Sequence, residues 1–76
     1  MTLDQLPRHL RGTVTALESR GAERRRLMDL GLLPGAEVRA EMSSPLGDPT
    51  AYVVCGSLIA LRRSQARAVH VEAEEA

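Results

Sequence analysis

Two runs of strand-forming residues, Thr50 to Cys55 and Leu58 to Arg63, are separated only by Gly56-Ser57. A two-residue connection that begins with glycine commits its flanks to a tight antiparallel hairpin, because so short a reversal needs positive φ. With Gly56-Ser57 as the loop, Cys55 opposes Leu58, Val54 opposes Ile59, Val53 opposes Ala60 and Tyr52 opposes Leu61. Alternation then collects Tyr52, Val54, Ile59 and Leu61 on one face, the bulkier and therefore core-facing one. Ala51, Val53, Cys55, Leu58 and Ala60 fall on the other face, with no charge nearer than Arg62. An uncharged outward face is either covered by a neighbouring segment or offered to another molecule, with Val53, Cys55 and Leu58 as its contact residues.

The rest of the chain supplies three more strands and little helix. Arg11 to Glu18 is rich in β-branched residues and roughly alternating, which predicts a strand entered through Gly12. Leu3, Leu6 and Leu10 flank Pro7 and are placed to cover one end of a core. Ala22 to Leu30 reads as a helix, with Leu27 and Leu30 on one face, Gly31 as its stop and Pro34-Gly35 as a turn. In Ala36 to Met42, Val38, Ala40 and Met42 alternate with Glu37, Arg39 and Glu41, the pattern of a half-buried strand. Ser43 to Pro49 is a loop of turn residues. Ser64 to Arg67 reads as one helical turn capped by Ser64, and Ala68 to Glu72 as a last strand. Five short strands with one inserted helix predict a small, partly open antiparallel barrel, mainly β, with all 76 residues in one domain.

Composition narrows the function. A chain of 76 residues has no room for a doubly wound sheet or an eight-fold α/β barrel. Ten acidic and ten basic side chains cancel, so the overall field is not that of a nucleic-acid binder. Base stacking is disfavoured too, because Tyr52 is the sole aromatic residue. No apolar stretch approaches the roughly 20 residues that span a bilayer, and Met1 to Gln5 lacks the pattern of a signal peptide. One cysteine, Cys55, forms no internal disulfide, and the expectation is a reducing cytoplasm.

Candidate chemistry is sparse. His9, Cys55 and His70 are scattered without metal-ligand spacing, and His70 between Val69 and Val71 should face solvent, so neither metal nor cofactor is expected. Cys55 with either histidine, or Glu41 with Asp48, has nothing to bring the pair together, and no glycine-rich phosphate loop is present. No enzyme is expected. All ten cations are arginine, from coding bias or from selection for guanidinium forks. Arg24, Arg25 and Arg26 lie early in the helix, where the dipole disfavours cations. They form either a solvated face or, with Arg62, Arg63 and Arg67, a docking patch for carboxylates or phosphates.

Arg24 to Gly35, then Ser44 to Pro49, then Ala60 to Arg63, in this order and spacing, resemble the ferrous iron transport protein A (FeoA-type) family across essentially the whole chain. The sequence departs from the family pattern at Cys55 and Ser57 in the hairpin and at Pro7-Arg8-His9-Leu10, which lacks a glycine. The resemblance implies an SH3-like barrel in the cytoplasm that acts with a large ferrous-iron membrane transporter bearing a GTP-binding domain. On that reading the chain is a non-catalytic module that docks on the transporter's cytoplasmic part and modulates it, without entering the membrane. The alternatives are a metal-responsive regulatory domain, since similar domains end some metal-dependent repressors, and a nucleic-acid-binding barrel. Self-association is left open.

Overall fold

A computed structural model describes residues 1–74 of the chain. After a 3₁₀ turn at Leu3–Gln5 come β1 (Arg11–Leu17), α1 (Gly21–Asp29), β2 (Glu37–Ser43), β3 (Thr50–Val54), β4 (Ser57–Leu61), α2 (Arg63–Ala66) and β5 (Val69–Ala73). The strands form one antiparallel sheet in the order β4-β3-β2-β1-β5. Among the described residues β4 and β5 are its two edges. The predicted helix is displaced by one residue, with Gly21 inside it and Leu30 as its cap.

One face of the sheet holds the core. Val14, Val38, Ala40, Tyr52, Val54, Leu61, Val69 and Val71 are buried together, and Leu3, Leu6, Leu27, Leu32 and Ala66 close over them. Almost all are aliphatic, so most of the driving force is apolar burial at about 25 cal/mol per Å². The N-terminal leucines cover one end, as their spacing about Pro7 suggested.

α1 ends by a route that its sequence dictates. Gly31 adopts φ 99°, which lets its N–H bond to the Met28 carbonyl at 2.9 Å and the Leu32 N–H to that of Leu27 at 3.1 Å. These paired bonds are a Schellman termination, and they bring Leu27 and Leu32 together, both fully buried. A side chain at position 31 would also meet Val54 Cγ1 at 3.3 Å. The stop signal thus seats the helix on β3 as well as ending it.

Three expectations are corrected. The hairpin loop is Cys55-Gly56, not Gly56-Ser57: Cys55 has φ 50° and Gly56 φ 84°, so both loop residues are left-handed, as in a type I′ turn. Val54 pairs with Ser57, Val53 with Leu58, Tyr52 with Ile59 and Ala51 with Ala60. The register therefore moves by two positions, which leaves both faces as assigned but removes Cys55 from the strand. Second, α2 begins at Arg63, because the Gln65 carboxamide accepts the Arg62 N–H at 3.0 Å; Ser64 caps nothing. Third, Met42 does not point inward. Ala40 pairs with Tyr52 but Met42 with Ala51, so Glu41 is an extra residue in β2, a bulge that reverses the alternation beyond it. A second bulge, at Thr15, lies between the Val14–Val71 and Ala16–His70 pairs.

Candidate protein-docking surface

The expected cationic residues lie around the two helices. Arg24, Arg25 and Arg26 are all exposed on α1, and Arg24 Nη1 donates to the Leu17 carbonyl at 3.1 Å, fastening the helix start to the end of β1. Gln65 Nε2 donates to Glu23 Oε1 at 3.2 Å and so joins α2 to the first turn of α1. Ser19, Glu23, Arg62, Ser64 and Gln65 line one hollow of about 390 Å³ at this junction. Arg62 is thereby brought beside α1. Arg63 turns elsewhere: its guanidinium lies 3.5 Å from where a side chain on Gly47 would begin. Among the described residues, none of Arg24, Arg25, Arg26, Arg62 and Arg63 has a carboxylate oxygen within 4.0 Å. Arg67 differs, since its Nε lies 3.7 Å from Asp4 Oδ2. Apart from Arg24 Nη1, engaged on the Leu17 carbonyl, the guanidinium forks of the other five can meet carboxylate or phosphate.

The loop before β3 carries a structural role that spacing alone did not show. Asp48 Oδ1 accepts the Arg63 N–H at 2.9 Å, at the start of α2. Ser44 Oγ accepts the Asp48 N–H at 3.0 Å and donates to the Asp48 carbonyl at 2.8 Å. Asp48 is thus a capping residue. Glu41 is an ion-pair partner of Arg39 at 3.3 Å. Each of the two carboxylates has a structural duty.

The outward sheet face is larger than the hairpin alone suggested. Val53 and Leu58 are cross-strand partners on it, Ala51 and Ala60 lie beside them, and the bulge at Glu41 adds Met42. Met42 is 60% exposed and Leu58 65%. A shallow hollow of about 280 Å³ runs from Met42, Ala51 and Ala60 to Pro45 and Pro49, with Leu46 at the loop tip 92% exposed. Cys55 is exposed at the turn, at the end of this face and not on it. Met42 was missed because a bulge arises from strand pairing and leaves no residue signature.

The imidazoles are apart. His70 Nε2 lies 2.6 Å from Glu18 Oε1 on the surface, and His9 sits in a turn with φ 68°. Among the described residues no three of His, Cys, Asp and Glu cluster as metal ligands would. Tyr52 is buried in the core, and that desolvation pushes its phenol above the usual value. Among the described residues no helix is long and apolar enough to cross a membrane.

A curled antiparallel sheet of five strands with its chemistry on the outside belongs to the SH3-like class. The FeoA domain family matches residues 1–73, and the chain belongs to that family, which is associated with ferrous iron transport. It is 40% identical to FeoA of Chlorobium tepidum, with a TM-score of 0.89 over 96% of this chain and 70% of that one. It is 37% identical to FeoA of Stenotrophomonas maltophilia, a prokaryotic SH3 domain protein solved with zinc, with a TM-score of 0.83 over 95% and 89%. Over 72 residues it is 29% identical to a fusion of Fe(2+) transport protein A with the Fe(2+) transporter FeoB from Porphyromonas gingivalis. That match covers 95% of this chain and 8% of the fusion protein.

Proposed function

We propose that this chain is an accessory protein of ferrous iron uptake, one folded unit that docks on the cytoplasmic GTP-binding part of a ferrous iron transporter. The observation that carries this reading is the fusion, in Porphyromonas gingivalis, of a matching segment to the transporter itself. Covalent linkage of two modules raises their effective concentration, which is useful when the two engage each other. The surface supports the same reading: Arg24, Arg25, Arg26, Arg62 and Arg63, without carboxylate partners among the described residues, and an apolar sheet face are features of recognition. Asp48 serves as a cap and Glu41 and Asp4 as ion-pair partners, in keeping with a role that is not catalytic.

The docked module acts by binding one conformational or nucleotide state of the transporter better than another, which shifts the balance between them. Arg24, Arg25 and Arg26 with Arg62 and Arg63 meet acidic groups of the partner, while Val53, Leu58 and the neighbouring turn at Cys55 supply apolar contact. Charge reversal at Arg25 and Arg62 together should weaken binding to the purified cytoplasmic domain about tenfold or more by calorimetric titration. The variant's circular dichroism should be unchanged. Undiminished affinity in a folded double variant would reject the docking surface.

A further inference from the structure

The two edges of the sheet are treated differently. Along β5, Thr2 forms a bridge with His70, and the Val71 N–H donates to the Met1 carbonyl at 2.9 Å. Along β4, among the described residues, backbone pairing comes only from β3. In a hairpin with a two-residue loop the pair that flanks the loop exchanges both hydrogen bonds. Val54–Ser57 is that pair, so Ile59 also bonds inward to Tyr52, and the backbone groups of Leu58 and Ala60 point away from the sheet. The side chains of Leu58 and Ala60 are exposed as well.

Proteins guard such an edge with charge, proline, a bulge or a covering segment. Ser57–Leu61, Ser-Leu-Ile-Ala-Leu, has none of these. We propose that this edge receives β4 of a second copy of the chain, running antiparallel across a two-fold axis at Ile59. In that register Leu58 pairs with the partner's Ala60 and Ala60 with the partner's Leu58, so every outward backbone group of both residues is satisfied on both copies. A large side chain lies beside a small one at each pair. Pairing stops at Arg62, whose N–H already serves Gln65 Oε1 at 3.0 Å.

Charge selects the same arrangement. Antiparallel addition holds the Arg62-Arg63 ends of the two copies apart, whereas parallel addition would set them side by side. A formal net charge of zero adds no long-range repulsion between copies. Because Met1 and Thr2 occupy β5 at Val71 and His70, that edge is blocked at its middle, each copy offers one edge, and assembly closes at two instead of growing into a filament.

Sedimentation velocity from micromolar to millimolar protein tests this, with mass rising up to twofold from 8.3 kDa. Ala60→Pro removes an outward N–H that β3 does not use, so it should stay folded and remain monomeric throughout. Leu58→Lys, which places a charge on the edge, should do the same and serves if the proline variant fails to fold. Amide exchange gives a residue-level readout: Leu58 and Ala60 gain protection as concentration rises, while Ile59 is protected at every concentration. A monomer at millimolar concentration overturns the proposal, as does a dimer that survives substitution on this edge. Protection of Leu58 and Ala60 that appears only when the transporter's cytoplasmic domain is added would assign the edge to that partner instead.

Discussion

Asp48 Oδ1 and the Arg63 backbone N–H, fifteen residues apart, meet at 2.9 Å, and this bond fastens the loop before β3 to the start of α2. The carboxylate does for α2 what an N-cap side chain does for a longer helix. Asp48→Ala should lower unfolding free energy by about 1 kcal/mol in urea titration, and Asp48→Asn by distinctly less, since its amide oxygen still accepts. Equal losses in the two variants would show that the bond is not what Asp48 contributes.

The bulge at Glu41 makes Met42 and Leu27 opposites despite their similar size. Leu27→Ala opens a cavity beneath the helix and should cost about 2–5 kcal/mol, a large part of the stability of so small a domain. Met42→Ser should change stability by no more than about 0.5 kcal/mol, because the side chain already stands in water. A Met42→Ser variant destabilised as a core substitution would place the residue inward after all. The two midpoints are read from the same chemical denaturation series.

The hairpin turn invites a gain. Cys55 holds φ 50°, a conformation that asparagine tolerates far better than cysteine, and it already precedes glycine. Cys55→Asn creates the preferred pair for a type I′ turn and should stabilise the protein by about 0.5–1 kcal/mol, raising Tm. No change, or a loss, would argue that the loop is not formed by these two residues.

Alkaline pH should expose the burial of Tyr52. Desolvation raises its phenol above the ordinary value of 10.0, so the native state keeps its proton where the unfolded chain loses it. Below 10.0 both states are protonated and Tyr52 adds no pH dependence. As pH rises above that value the native state binds more protons than the unfolded one, and stability falls. Tyr52→Phe should flatten this alkaline loss in a pH series of unfolding midpoints, and ultraviolet titration of the folded wild type should show late phenolate formation.

What the sequence revealed was local in origin. The placing of α1 rests on Leu27, Leu30 and Gly31, which lie within one turn of each other, and the stop at Gly31 follows from a conformation open to few residues. The hairpin is legible for the same reason, as are its faces, because period-two alternation survives a slip of two positions. Its loop was misplaced because glycine usually leads a two-residue turn of one type and ends that of another, and cysteine is a rare choice for the first left-handed place. The capping of α2 by Asp48 and the outward turn of Met42 were not legible, since both depend on partners brought near only by folding. The candidate docking residues were named from charge and alternation. The structure joined Arg62 to α1, sent Arg63 towards Gly47 and extended the apolar face through a residue assigned to the core.

The extra residue at Glu41 makes this stretch of the chain tolerant of a change in length. Removing it would restore a regular ladder with Met42 still opposite Ala51 and Ser43 still opposite Thr50, so the thioether would stay on the outward side. A relative shorter by that single codon would then present the same skin to the same neighbour.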